Sequence, residues 1–391
     1  MKNDMSDGYT EVNGTKLSIY NYSGDEKTWI LWSVALGTFI GTIPLHFFYT
    51  KFGAKKPFFF AGIVSCGFAY AADFAAIGLI NVHWAPMKEV AFFISVLTCF
   101  NGIASAITNV GTGYLCESSL GWKSSYYLHA GAGLILFGLW HIVFIDHPQD
   151  TPRVSAMELK EIQRDKSEAH LSKKCEVPYK KLLTSPVILC VWLNAFFDLT
   201  AAIMFSTYVP LYLHEVLKFD ITTTGMLSSM ILGASIPIRI AFAVVSDKFT
   251  LLSEISKIHI FNTISVGVSG IFFSAIGFIP IEYSGWAVVC FVMCMCCIGV
   301  NSGGFYKSAY LHSRQFSHLV LTAIQWIKCL ALFVAPALVS IFVSEESNRS
   351  QWIWVFVVVG GGMIFTNILS FFILTEKPAS WTDAKANLDE I

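Results

Sequence analysis

Ten apolar stretches, each about as long as a helix needs to cross a bilayer, run along this 391-residue sequence, at 29–49, 57–80, 90–115, 125–145, 187–213, 226–245, 258–280, 286–305, 319–342 and 352–374. A hydrocarbon core of ~30 Å takes about 20 helical residues. Backbone polar groups inside it must be satisfied within the chain, which leaves helices as the reading for stretches of this length. Only 14% of the residues are charged, against roughly 25% in soluble domains, too few to coat a water-facing surface. The fold class is therefore all-α and polytopic, with the lipid bilayer as its main partner. A net charge of −1 and the lack of a basic stripe interleaved with aromatics exclude nucleic acid as a partner. Ten cysteines include Cys66, Cys99, Cys190, Cys290 and Cys329 inside apolar stretches. There cysteine acts as a small hydrophobe, not as half of a disulfide framework.

One polar segment, 146–185, separates four stretches from six and carries Arg153, Lys160, Arg164, Lys166, Lys173, Lys174, Lys180 and Lys181. Within it, Ser155 followed three residues later by Glu158 reads as a capping box opening an amphipathic helix over 155–170. Basic residues prefer the cytoplasm. Lys248, Lys257, Lys307 and Arg314 then place alternate loops of the six-stretch half inside, and Lys51, Lys55 and Lys56 do the same for the loop after the first stretch. The division expected is an outer tail (1–28), an N-terminal half (29–145), a cytoplasmic loop (146–185), a six-helix half (186–374) and a cytoplasmic tail (375–391). Asn13 and Asn21 then lie outside as usable glycosylation sequons, and Asn348 lies on that side close to the bilayer. Between Lys56 and Asp146 the crossings must be even in number, yet three apolar stretches lie there. The stretch 57–80 is therefore expected to be bent or re-entrant.

Ionisable residues inside spans are costly and so are functional candidates. They are Asp73, Asp198, Arg239, Lys328, Lys307 near a helix end, and His129 and His141. Counted together, two acids against three bases favour a small anionic solute. Asn194, Asp198, Ala201, Phe205, Tyr208 and Tyr212 recur at three- and four-residue steps, which places them on one helical face, the expected cavity wall.

Ordered short motifs identify a family. Pro44 precedes Lys51-Phe52-Gly53-Ala54-Lys55-Lys56; then follow Trp84-Ala85-Pro86, Gly121-Trp122, Asp146-His147-Pro148, Pro152-Arg153-Val154-Ser155, Val177-Pro178-Tyr179-Lys180, Thr184-Ser185-Pro186, and Tyr212 with Glu215-Val216-Leu217 and Phe219-Asp220-Ile221. In this order and spacing they resemble the anion:cation symporters of the major facilitator superfamily, the group of the vesicular glutamate transporters, sialin and the sodium-phosphate cotransporters. The resemblance implies two six-helix halves joined by a cytoplasmic loop, a secondary transporter of a small organic or inorganic anion coupled to protons or sodium, no other cofactor, and a plasma, vesicular or lysosomal membrane. Against that pattern the first helix is absent, and 57–80 fuses the start of the third helix to the end of the fourth. That loss leaves a second reading open, a transport-incompetent form with a regulatory or structural role.

The resemblance also marks departures. His46 and Thr50 replace the glycine and acid expected before the Lys51 loop, and Asp198 stands where glutamate-carrying relatives show an arginine. Gln325 replaces an asparagine, and the acidic motif expected around Tyr306, Lys307 and Arg314 is absent. Asp198 is then a protonatable coupling candidate. Cys290, Cys294, Cys296 and Cys297 sit in an apolar stretch without a nearby histidine, which argues against a metal site. No P-loop, dinucleotide fingerprint or G-x-S-x-G elbow occurs, so no enzyme is expected. The topology has a direct check: a sequon engineered beside Lys166 should stay unglycosylated while Asn21 carries sugar, and the reverse pattern would invert the orientation.

Overall fold

The structure is a computed structural model that describes residues 9–12, 15–18, 24–64, 73–121, 123–164, 166 and 178–382. Asn13, Asn21 and Cys66 lie outside these residues. Apart from a short hairpin of β1 (Tyr9–Val12) and β2 (Thr15–Ser18), the fold is helical. The first set comprises α1 (Gly24–Phe52), α2 (Lys55–Val64), α3 (Asp73–Trp84), α4 (Val90–Thr98), α5 (Phe100–Glu117) and α6 (Lys123–Val143). The loop carries α7 (Ala156–Gln163) and α8 (Tyr179–Leu183). The second set comprises α9 (Pro186–Thr207), α10 (Val209–Glu215), α11 (Ile221–Lys248), α12 (Glu254–Ile276), α13 (Ser284–Ile298), α14 (Phe305–Ser313), α15 (Ser317–Phe342) and α16 (Arg349–Ile373).

Eight helical stretches among the described residues are long and apolar enough to cross a membrane. The ten apolar stretches of the sequence reduce to these eight for two reasons. Helix follows helix almost without pause from Ile281 to Phe342, which merges two of them, and 57–80 is described only as two short helices, Lys55–Val64 and Asp73–Trp84. Helix starts follow local chemistry. Ser185 precedes Pro186 at the first turn of α9, where a missing N–H costs nothing. The Asp220 carboxylate accepts from the Thr223 amide at 2.9 Å to cap α11. Ser155 accepts from the Glu158 amide as the capping box requires, though the helix it opens is described only to Gln163.

The second set carries the main core, in which α9, α12, α13 and α16 meet through aromatic side chains. Tyr212 stands edge-on to Phe356 at 5.1 Å and to Trp352 at 5.6 Å, and Phe205 lies 5.6 Å from Phe273. Helices of the first set pack more onto the second set than onto one another. Both α1 and α3 lie along α15, while α4 and α5 lie along α11. The exceptions are α2 and α6, which pack on each other and on first-set neighbours; the apolar stretch of α6 has no buried share.

The 57–80 stretch resolves the parity problem. At its front, the amides of Ala54 and Lys55 donate to one Asp146 carboxylate oxygen at 2.6 and 2.9 Å. At its far end, the Trp84 indole N–H donates to the carbonyls of Ile145 and Asp146, both at 3.2 Å. Entry and exit thus lie at the same end of the molecule. The stretch enters as α2 and returns as α3, whose ten and twelve described residues rise about 15–18 Å from that end.

Gly53 makes this turn with φ +74°, and a Cβ there would stand 2.7 Å from the Asp146 carboxyl carbon, so glycine is required twice over. Since Asp146 satisfies two orphan amides of α2, Asp146→Ala should lower the unfolding free energy of the detergent-solubilised protein by about 1.5–3 kcal/mol, the range for hydrogen bonds to a charged group. Asp146→Asn, which keeps an acceptor, should cost less, and equal melting of all three proteins would refute the tether.

Candidate functional site

Where the two helix sets meet, at mid-depth, they enclose a cavity of ≈ 80 Å³, room for a handful of waters. From the first set come Asp73, Thr98, Asn101 and Ser105; from the second come Asp198, Arg239, Asn301, Tyr306 and Lys328. The four charges stand roughly nine to twelve residues in from the helix ends at Trp84, Pro186, Lys248 and Ser317. At 1.5 Å per residue that is about 13–18 Å, the middle of a bilayer.

Each charge has an identifiable setting. Lys328 Nζ pairs with Asp73 Oδ2 at 2.6 Å, both side chains almost fully buried, and it lies 5.6 Å from the centre of the Phe74 ring. The other Asp73 oxygen accepts from the Phe74 amide at 2.8 Å at the start of α3, where the helix dipole favours an anion. Arg239 Nη1 donates to Thr98 Oγ1 at 2.6 Å, and the Ser95 hydroxyl donates to that of Ser302 at the same distance. All three links tie the first set to the second. Asp198 is 3% exposed; its Oδ2 accepts from the Asn301 amide at 3.0 Å, while no described group bonds its Oδ1. No direct hydrogen bond joins Arg239 to Asp198.

Asp73, Asp198, Arg239 and Lys328 therefore come together, and the other candidates do not line this cavity. Lys307 sits toward the basic end, bonded to the Ser246 carbonyl at 3.1 Å, Asp247 at 3.2 Å and Glu254 at 3.0 Å. Removing it from the count corrects the expected positive excess: the cavity holds two bases and two acids. Asn194 turns into the second set, donating to Ser370 Oγ at 2.9 Å and to the Cys190 carbonyl at 2.8 Å. Its oxygen accepts from Asn262, which also donates to Asn367 beside the π-helical turn Thr263–Val268 of α12. Tyr208 joins the aromatic core beside Trp352, and Gln325 is fully buried on α15, off the cavity wall.

Of the face expected to line the cavity only Asp198 does so; the actual α9 wall is Asp198, Leu199, Ala202 and Ser206. Because α9 is apolar nearly all round, periodicity alone does not say which stripe faces which neighbour. His129 bonds Thr108 Oγ1 at 3.0 Å and the Ser125 carbonyl at 2.6 Å, and His141 lies 4.4 Å from the Phe59 ring. The Asn348 side chain caps α16.

Thr98, Ser95, Ser302 and Asn301 are absent from the sequence-derived set. The signal for Asn301 lay in Gly299-Val300-Asn301-Ser302-Gly303-Gly304, a cluster of helix breakers inside an apolar stretch. Non-helical backbone at that depth is tolerated where it lines a cavity, and the short 3-10 turn Asn301–Gly303 does so. For the hydroxyls there was no signal, since serine and threonine recur throughout the spans.

At the basic end Asp247 Oδ2 also accepts from the Phe92 amide at 2.8 Å. There the Lys166 ammonium, from the loop, donates to the carbonyls of Val82 and His83 at 3.0 and 3.2 Å, and burial lowers its pKa to about 8. At the opposite end Lys27 pairs with Glu346 at 2.6 Å, and the Trp32 indole donates to the Phe333 carbonyl at 3.1 Å.

Comparison with known proteins accords with this architecture. A sequence profile described as the Major Facilitator Superfamily matches residues 24–336. The uncharacterized transporter slc-17.3 of Caenorhabditis elegans is 23% identical, the match covering 94% of this chain and 75% of that protein. Sodium-dependent phosphate transport protein 1 of Homo sapiens is 27% identical over 56% of this chain, and the match spans about half (52%) of that protein's length. The crystal structure of the D-xylose-proton symporter superposes with a TM-score of 0.60 at 12% identity, covering 91% of this chain and 90% of the other. With four-fifths of its residues inside the matched region and helices to the same plan, the chain belongs to the Major Facilitator Superfamily and is a multi-pass membrane transporter, not an enzyme.

Proposed function

We propose that this chain moves a small monovalent anion together with one proton by alternating access, Arg239 and Lys328 taking the anion and Asp198 the proton. The observation that carries this reading is the charge inventory of the cavity, two bases and two acids with one carboxylate oxygen unbonded. With both acids ionised the cavity is neutral and holds no excess attraction for an anion. Protonation at Asp198 Oδ1 leaves one positive charge, which a monovalent anion cancels.

Both bases are held by partners from the opposite helix set, Thr98 and Asp73. An anion that takes over these contacts loosens the links between the sets, so binding assists the rocking of one set against the other. Phosphate, named in the human relative, is the first anion to try, as its monovalent form.

The test is uptake of inorganic phosphate and of small monocarboxylates into proteoliposomes of the purified chain. An acid-outside pH gradient should drive accumulation, and Asp198→Asn should remove the dependence on that gradient while sparing anion exchange. Arg239→Gln should weaken phosphate binding about 10- to 100-fold, the loss of one charged hydrogen bond of about 1.5–3 kcal/mol. Uptake driven by sodium alone would refute the proton, and no uptake under either gradient would refute the reading.

The Asp73–Lys328 pair gives a separate check through stability. Asp73→Asn or Lys328→Met alone leaves a charge unpaired at mid-depth and should cost about 3–5 kcal/mol, whereas the double variant should recover most of it. Additive losses in thermal melts would show that the pair is not coupled.

A further inference from the structure

Away from the cavity, α1 and α2 diverge from the Gly53 turn and leave a groove of ≈ 510 Å³ between them. Leu45, Phe48 and Phe52 line it from α1, and Lys56, Pro57 and Phe60 from α2. Phe48 is 44% exposed and Phe60 60% exposed, so the walls are uncovered aromatic surface. From Phe52 to Leu45 the groove climbs about 10 Å at 1.5 Å per residue, some two-thirds of one leaflet's half of a ~30 Å core. Its form is a channel for a chain, open to the bilayer along its length and closed at the basic end by a charged rim.

That rim is Lys51, Lys55 and Lys56. No described carboxylate forms an ion pair with any of them. Lys51 Nζ lies 5.3 Å from the Phe52 ring and 5.9 Å from the Phe47 ring, directly beside the groove's aromatic wall. The acid at the turn, Asp146, is engaged through one oxygen with the Ala54 and Lys55 amides. An apolar slot reaching two-thirds of the way into a leaflet, under a lysine cluster that no described carboxylate pairs, complements an amphiphile with a negative head. The geometry points to an anionic glycerophospholipid, one acyl chain in the groove between α1 and α2 and its phosphate-bearing headgroup among the three lysines. Clusters of basic residues at the membrane surface attract anionic lipid at about 1 kcal/mol per residue, and here the groove adds a fixed seat for the chain.

The experiment uses the whole purified chain, delipidated in a nonionic detergent and offered dioleoylphosphatidylserine or dioleoylphosphatidylcholine, with retained lipid counted by native mass spectrometry. Phosphatidylserine should be held in preference by on the order of a hundredfold. The triple variant K51Q/K55Q/K56Q should lose that preference. Phe60→Trp, which narrows the groove without touching a charge, should weaken both lipids alike, and circular dichroism of each variant establishes that it is folded. Glycerophosphoserine, the headgroup without chains, should not displace the bound lipid. Equal retention of the two lipids by the unaltered chain, full retention of phosphatidylserine by the triple variant, or displacement by the free headgroup would each overturn the assignment. So would a dimer that Phe60→Trp dissociates, since the groove would then belong to a second copy.

Discussion

A charge at the centre of a bilayer must have a partner, and in this molecule the partner of Lys328 comes from a helix of the opposite set. Asp73 begins α3, which is twelve residues long and returns to the side from which α2 entered. Its depth is set from below. The Trp84 indole fixes the far end of α3 to the carbonyls of Ile145 and Asp146, and Lys166 closes that end by taking the last carbonyls as a helix C-cap. An ion pair in low dielectric gains little over two well-packed apolar residues, but losing one member is severe. The pair therefore does more to fix the depth at which α3 begins than to add net stability, and the first-set wall of the cavity is built around that point.

The links between the two helix sets are unequal along the membrane normal. At the basic end Asp247, its side chain almost fully buried, receives a backbone amide of the other set, and a buried serine pair lies just above it. At the opposite end the Lys27–Glu346 pair is roughly a third exposed, and exposed pairs contribute at most about 1 kcal/mol. A rocking molecule resists opening least where its contacts are wettest, and among the described links these lie at the end away from the basic loops.

Much of this architecture was legible in the chain. Bilayer-length apolar stretches gave the helices, lysine placement required an even number of crossings before Asp146, and that parity singled out 57–80 as irregular. The cost of mid-span charge selected Asp73, Asp198, Arg239 and Lys328 from composition and position alone. What failed did so for physical reasons. Lys307 counted as a cavity base because sequence does not show that Asp247 and Glu254 reach it, both being residues of other helices. Asn194 and Tyr208 were grouped with Asp198 because three- and four-residue steps describe a stripe about as wide as the uncertainty in where a wholly apolar helix points. Asn301 escaped notice because its helix break is hidden within an apolar run, and Thr98 because one hydroxyl among many carries no mark of its partner.

The balance of two acids and two bases has an electrical consequence. A site that travels empty with both acids ionised, or loaded with one proton and one monovalent anion, is neutral in both crossings. An uncompensated charge would feel the membrane potential by about 2.3 kcal/mol per 100 mV, and in the proposed cycle no such charge moves. In that cycle voltage neither drives nor brakes the carrier, and its direction is governed by concentration and acidity on the two sides alone.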